Sequence, residues 1–419
     1  MPEYRRIDRA KELFGDAKKS AQIAKKAAQR AKEKADIPSP QEKTALVLSG
    51  GAARGAYEMG VWQALRELGV RIDIVCGTSI GAMNAYIVAL GSYEKARDMW
   101  LDMKTEEVFD FDRVLQEGAG SFTGIRDILA KDFPETEVRA SKTDFGLCTV
   151  RLNEEASMDP KTWTPLYLWK KDIPDGKMMD YVLASCSCYP VVKPYDIDGT
   201  KYLDGGFYDY IPVRMALEAG ADRIIAVNLE AVGWVQGEDI EKAGSRLTMI
   251  EPSAELGNIV VFDPANTRRI MRLGYLDTLK IYGAFDGHSF TFLKGSMDQR
   301  SLAAAERAGE IFDLDSGVLY SKQSYRQALL AAIEETRRLQ DGQKLQSDLK
   351  KLWEKGVSWK AVKVGLENLG DHSRQTVFLG LCDTIKKQSA ERTLKETPVR
   401  GAVSKDYNAA LWVVKNGLV

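Results

Sequence analysis

Histidine is nearly absent from this chain, with two among 419 residues, His288 and His372. A Ser–His–Asp triad needs an imidazole beside its nucleophile, and neither histidine lies in a motif that would bring it to one. Cysteine is scarce too, at positions 76, 148, 186, 188 and 382. The odd number and scattered spacing argue against a disulfide framework. Cys186 and Cys188 form a C-x-C pair, but no second pair or nearby histidine completes a zinc set. The thiols are therefore expected to be small core residues, and no metal is expected. The net charge is −1, which removes any global pull toward nucleic acid or anionic lipid. No apolar run approaches the roughly 18 residues that a membrane-spanning helix needs. The opening stretch MPEYRRIDRAKELF lacks the continuous apolar core of a secretory signal. A cytoplasmic protein, touching membrane peripherally if at all, is the expectation.

What is present is ordinary for a globular protein, 44% hydrophobic and 28% charged, and long enough for more than one structural unit. Residues 1–36 read as one helix carrying 11 Lys and Arg against 6 Asp and Glu, a local excess of +5. Ile7, Ala10, Phe14, Ala17, Ala21, Ala24, Ala28, Ala31 and Ala35 form a heptad-like stripe, mostly alanine. Such a face can dock on its own domain, lie on a membrane surface or self-associate into a homo-oligomer. Pro38 and Pro40 then mark a linker.

From Thr44 the pattern changes. TALVLS reads as a buried strand, Gly50–Gly55 as a glycine-rich turn, and Ala56–Leu68 as a helix stopped by Gly69. Arg71–Cys76 reads as a second strand and Ser79–Leu90 as a second helix. Strand–helix–strand–helix at this spacing predicts a parallel sheet with crossover helices. Further strands are expected at Phe145–Arg151, Leu166–Trp169, Tyr202–Leu203 and Arg223–Asn228, with helices near Glu94–Met103, Lys177–Ala184 and Val213–Ala219. From about 300 the chain reads as charged helix, at Ser301–Ile311, Lys322–Leu339 and Ser347–Trp353.

Three motifs carry chemistry. Gly77-Thr78-Ser79-Ile80-Gly81 is the chain's only G-x-S-x-G, and it falls where a strand ends and a helix begins. Gly77 and Gly81 permit a sharp turn that lifts the Ser79 hydroxyl off the backbone. The helix that follows directs free N–H groups at it. A serine N-cap on a tight turn is the plain alternative. Ser49-Gly50-Gly51-Ala52-Ala53-Arg54-Gly55 is a run of small residues able to expose backbone amides as an anion nest, as the oxyanion of acyl transfer requires. A dinucleotide loop would place an acidic residue at the end of the second strand; Asp73 lies at its beginning. The third motif, Asp204-Gly205-Gly206, taken alone marks only a turn.

Together the three resemble the patatin-like phospholipases: G-G-x-x-R-G, then G-x-S-x-G about 25 residues on, then D-G-G more than 100 residues later. The segment from Ala184 through Glu230 and the later RRIMRLGYLDTLK are similar to that family as well, so the resemblance covers roughly 44–290. It implies a patatin-like three-layer α/β/α fold with a mainly parallel central sheet, flanked by helical extensions. The division expected is 1–43 as a basic helical extension and linker, 44–294 as the catalytic domain, and 295–419 as a helical region.

Carried over by motif, the resemblance makes Ser79 the nucleophile and Asp204 its base. Gly50, Gly51, Ala52, Ala53, Arg54 and Gly55, with the N–H of Ile80, would form the oxyanion hole. Gly77, Gly81, Gly205 and Gly206 support the motifs. A dyad accords with the scarcity of histidine. The pattern departs at Ala52, where a third glycine is usual and where the N–H is presented if φ is negative. It departs again at Asp209, which stands where asparagine is often found.

The activity implied is lipid acyl hydrolysis, a phospholipase A or lysophospholipase-like esterase on a lipid or acyl-ester substrate, with no cofactor and no nucleic acid. The rivals are a catalytically weak lipid-binding or regulatory protein and a transacylase using the same residues. Arg54 is a candidate for a substrate phosphate or for anchoring the loop. Val108, Phe109, Phe111, Val114 and Phe122 could line an acyl pocket or sit in ordinary core. Trp353, Trp359 and Trp412 are candidates for contact with a lipid interface.

Overall fold

Burial on both faces organises the central sheet. Ala45 and Val47 of strand β1 (Thr44–Leu48) and Ile74 and Cys76 of strand β2 (Ile74–Thr78) pack on one face. Leu46, Leu48 and Val75 between them are equally buried on the other. A strand buried on both faces reads as a continuous apolar run, because helices cover both sides of a parallel sheet. The computed structural model describes residues 17–33, 36–108, 123–153, 155–339, 371–390 and 404–419.

Helix α1 (Ala17–Lys32) opens the described chain. Helix α2 (Ala56–Leu68) follows β1 and ends on left-handed Gly69. Helix α3 (Ile80–Leu90) follows β2 and ends on left-handed Gly91. Next come α4 (Tyr93–Asp102), β3 (Asp144–Arg151), β4 (Thr164–Trp169), α5 (Met178–Ser185), β5 (Tyr195–Ile197) and β6 (Thr200–Asp204). Then come α6 (Val213–Glu218), β7 (Arg223–Val227), β8 (Leu247–Ile250) and α7 (Pro264–Ile281), with shorter helices between these elements. Asp263 caps α7 by accepting from the amides of Ala265 and Asn266, with Pro264 at the first turn.

The strands form one sheet in the order β5-β6-β3-β2-β1-β7-β8, with β4 on the other edge of β3. β3, β2, β1, β7 and β8 run parallel, while β4 and β6 run antiparallel to β3. The α/β fold with a mostly parallel sheet accords with the expectation. The strand at Leu247–Ile250 and the short Tyr195–Ile197 were not legible in the sequence. Helices α2 and α7 cross at Gly60 and Gly274, where an added Cβ would meet Met271 O at 1.9 Å and Tyr57 O at 2.1 Å respectively.

The chain divides into two compact units, Lys25–Ala284 and Met1–Ala24 with Phe285–Val419. The first includes the linker and the end of α1, and it closes at Ala284, ten residues before the boundary expected at 294. Ala28 and Ala31 of the alanine stripe are buried within the chain. Residues 1–16 lie outside the described residues.

The second unit adds a small sheet that the sequence reading missed: β9 (Phe285–Asp286), β10 (Thr291–Leu293) and β11 (Leu319–Tyr320), in the order β11-β10-β9. Around it lie α8 (Gln299–Ile311), α9 (Lys322–Leu339), α10 (Asp371–Ala390) and α11 (Ser404–Lys415). Phe290, Phe292, Tyr320 and Tyr325 form its aromatic core. Trp412 is half-buried and packs against that core. The segment at 347–353, Trp353 and Trp359 lie outside the described residues. No helix among those described is long and apolar enough to cross a membrane.

Candidate active site

Ser79 sits at φ 58°, ψ −128°, between the last residue of β2 and the first of α3. A serine in this left-handed region is strained by about 1–3 kcal/mol and persists only where its surroundings hold it. Its neighbours show why the flanking positions are glycine. A Cβ on Gly77 would lie 2.2 Å from Gly81 O, and one on Gly81 would lie 2.4 Å from Leu48 O. The turn is thus pressed against its own helix and against the end of β1, and only glycine fits on either side of the serine.

Asp204 reaches the same place from the opposite direction. β2 pairs with β3 up to Thr78 opposite Cys148, and antiparallel β6 ends with Asp204 opposite Thr149. Both strands occupy the edge of β3 that β4 leaves free, so they meet head to head at adjacent residues of β3. Ser79 continues from one end and Asp204 closes the other. Gly205 allows the junction, since its Cβ would fall 2.3 Å from Cys148 O.

The Asp204 carboxyl is buried, 4% exposed. Burial raises its pKa from 3.8 to about 6, against hydrogen bonds from the Ser79 side chain and the Gly206 amide that stabilise the anion. The Gly206 N–H donates to Asp204 Oδ1 at 2.7 Å. The Asp204 carboxyl is therefore mostly ionised at neutral pH, with a proton affinity well above that of a surface aspartate.

The glycine-rich loop is narrower in function than expected. The N–H groups of Gly50, Ala53 and Arg54 donate to Tyr210 O, Ile259 O and Gly51 O, at 3.2, 2.9 and 3.0 Å. Those three amides hold the loop in place and are not free for an anion, a correction to the six-residue expectation. Gly51 and Ala52 are partly exposed, and their amides precede the first intrahelical donor of the short 3-10 turn Ala52–Gly55. Gly50 adjoins Ser79, its would-be Cβ lying 3.3 Å from the serine Cβ. Ala52 has φ 46°, so the negative φ under which its N–H would be presented is not met, and it occupies a conformation that glycine would adopt without strain. Ile80, at the first turn of α3, has an amide with no intrahelical acceptor.

Arg54 resolves to the anchoring alternative. Its guanidinium donates to three backbone carbonyls, Gly257 O at 3.0 Å, Leu229 O at 3.2 Å and Glu230 O at 2.7 Å. It ties the loop to the segments after β7 and β8.

Several further residues also hold the site. Ser185, at the end of α5, accepts from the Ser79 N–H at 2.8 Å and donates to Cys148 O at 2.6 Å. It joins the backbone at Ser79 to β3. The Thr78 hydroxyl donates to Asp209 O at 2.7 Å, linking the serine turn to the segment after Asp204. Beneath the glycine-rich loop, Trp100 Nε1 donates to Asn84 Oδ1, and Asn84 Nδ2 donates to Gly55 O and to Glu58. Glu58 is fully buried, and desolvation raises its pKa well above the ordinary value. The only hint of Ser185 in the sequence is its place in ASCSCYP.

Asp209 is buried with one oxygen partnered. Tyr167 donates to Oδ2 at 2.8 Å, while Oδ1 has no hydrogen-bond partner. Desolvation pushes its pKa to about 7. Cys76, Cys148 and Cys382 are buried thiols as expected, whereas Cys186 is partly exposed and Cys188 is exposed, so Cys188 is not a core residue. Among the described residues no group of His, Cys, Asp and Glu is placed to hold a metal. Phe109, Phe111, Val114, Phe122 and the side chain of Val108 lie outside the described residues. His288 is on an exposed turn of the second unit.

Residues 46–217 match the Patatin-like phospholipase family. The chain carries a patatin-like domain. Over 215 residues it is 31% identical to patatin-like phospholipase domain-containing protein 7 of mouse, a match covering 49% of this chain and 14% of that one. Over 195 residues it is 30% identical to lysophospholipase nte1 of Aspergillus terreus, covering 45% and 12%. The chain thus spans a small part of the length of these relatives. Among solved structures, VipD from Legionella pneumophila aligns over 91% of this chain and 92% of that one, at 15% identity and a TM-score of 0.36. Ser79, Asp204 and the whole glycine-rich loop fall inside the matched segment.

Proposed function

We propose that the patatin-like domain is a lipid acyl hydrolase of the phospholipase A or lysophospholipase class, with Ser79 as nucleophile and Asp204 as base. The observation that carries this reading is the meeting of β2 and β6 at adjacent residues of β3, which sets a strained serine against a buried aspartate. In the mechanism, Asp204 accepts the Ser79 hydroxyl proton as Oγ attacks the ester carbonyl. The alkoxide is held by the amides of Gly51 and Ile80. Each such donor contributes roughly 3 kcal/mol to the transition state. Collapse releases the alcohol or lysolipid, which takes the proton back from Asp204. Water then enters, Asp204 removes its proton, and the acyl-enzyme is cleaved to fatty acid with the proton returned to Ser79.

The test is fatty-acid release from phospholipid, from lysophospholipid and from a short-chain ester, by the wild type and by Ser79→Ala and Asp204→Asn. Release by the wild type is expected to fall at least about a thousandfold in both variants. Full release by Ser79→Ala would place the chemistry elsewhere.

A further inference from the structure

Most large hydrophobic side chains left exposed among the described residues gather on three loops. Tyr189 and Val191 follow α5, Val232, Trp234 and Val235 follow β7, and Val261 follows β8. Val232 is 96% exposed and Trp234 71%. These loops share one edge of the sheet. β1, β2, β7 and β8 are parallel, so the segments leaving β7 and β8 emerge beside the glycine-rich loop and Ser79. The segment after α5 is drawn to the same edge because the Asp204 N–H donates to Ser187 O at 3.0 Å.

Each loop is bonded to a different part of the site. The Trp234 N–H donates to Gly206 O at 3.1 Å, and Trp234 O accepts from the Tyr210 N–H at 2.7 Å. Ile259 O accepts from the Ala53 N–H at 2.9 Å. Exposed apolar side chains scattered singly are ordinary; six of them on three segments that each brace the same site are a rim. Trp234 and Tyr189 add the amphipathic rings that settle at a lipid–water boundary. The charges on the three segments are Lys193 against Glu230, Glu251, Glu255 and Asp263. An acidic rim does not suit an anionic bilayer, and it tolerates a zwitterionic one.

We propose that Tyr189, Val191, Val232, Trp234, Val235 and Val261 form a rim that docks the domain on a zwitterionic lipid surface, with Ser79 facing the lipid. The idea rests on the acyl-hydrolase reading, since it supplies the route by which acyl chains leave the surface for the serine. The rim acts through apolar burial, so salt has little effect on it.

The experiment uses the full chain carrying Ser79→Ala, floated with phosphatidylcholine vesicles at low and high salt. The same protein with Val232→Ser and Trp234→Ser added is the comparison. Both side chains stand in solvent, and equal melting temperatures verify the fold. Binding is expected to weaken about tenfold in the double variant, to change little with salt, and not to improve on anionic vesicles. In the catalytically intact background, the ratio of vesicle to short-chain-ester turnover is expected to fall by a similar factor. Equal flotation of both proteins overturns the proposal, as does binding confined to anionic vesicles and lost in salt. Absence of flotation also overturns it and turns the rim toward a protein partner. Turnover of the short ester without flotation rejects the rim and spares the hydrolase. Flotation without turnover of any substrate rejects the hydrolase and spares the rim.

Discussion

Asp209 gives the sharpest quantitative test of the site's electrostatics. The perturbation is Asp209→Asn, which keeps the shape and an acceptor for the Tyr167 hydroxyl while removing the ionisable group. The folded protein holds the Asp209 proton up to about pH 7, whereas the unfolded chain releases it near 3.8. Between those values the folded state binds more protons, so stability falls as pH rises. Carried across the whole window, a rise from 3.8 to about 7 corresponds to about 4 kcal/mol lost by the wild type and not by the variant. By about pH 5 roughly 1.5 kcal/mol is already lost, leaving about 2.5 kcal/mol between pH 5 and pH 8. The new amide N–H2 lacks a partner and costs about 1–2 kcal/mol, but equally at both pH values. Urea unfolding of both proteins at the two pH values isolates the difference. In melting experiments it is worth about 5–10 °C. Parallel pH dependence in wild type and variant would refute the reasoning, because it would mean that the Asp209 charge is already compensated in the folded state.

Three further outcomes are expected. The acid limb of kcat/KM on a soluble ester should bend near pH 6, with activity lost below it as Asp204 takes up its proton; a flat profile down to about pH 4.5 would exclude Asp204 as the base. Ser185→Ala should cost about 1–3 kcal/mol of stability by leaving the Ser79 N–H and Cys148 O without their partner. It should also lower kcat more than it raises KM, and a purely structural Ser185 would leave kcat alone. Ala52→Gly should stabilise the fold by up to about 1 kcal/mol by relieving the left-handed alanine, read as a higher urea midpoint; a loss of stability would show that the alanine methyl contributes more than its strain.

The motifs were legible because their chemistry is local. A serine between two glycines at a strand–helix junction requires a tight turn whatever surrounds it, and the buried strand β1 and helix α2 announce themselves by apolar runs and a stopping glycine. The thinness of histidine pointed away from a triad. Elements without a local signature stayed hidden: β8 at Leu247–Ile250 and the small sheet of the second unit are short, and the partners that make them strands lie far along the chain.

The sequence by itself determined the residue types of the site, the order of its motifs and the parallel α/β pattern, because glycine tolerance and hydrophobic periodicity act over a few residues. Only the tertiary structure decided which of them meet and what each does. The encounter of Ser79 with Asp204 depends on two strands ending at neighbouring residues of β3, a relation of register across 125 positions of chain. The role of Arg54 as an anchor, the engagement of the Gly50, Ala53 and Arg54 amides, and the positive φ of Ala52 depend on the carbonyls folded over them. Ser185, Glu58 and the apolar rim belong to that second class as well, since burial and exposure are properties of a surface that no short stretch of sequence defines.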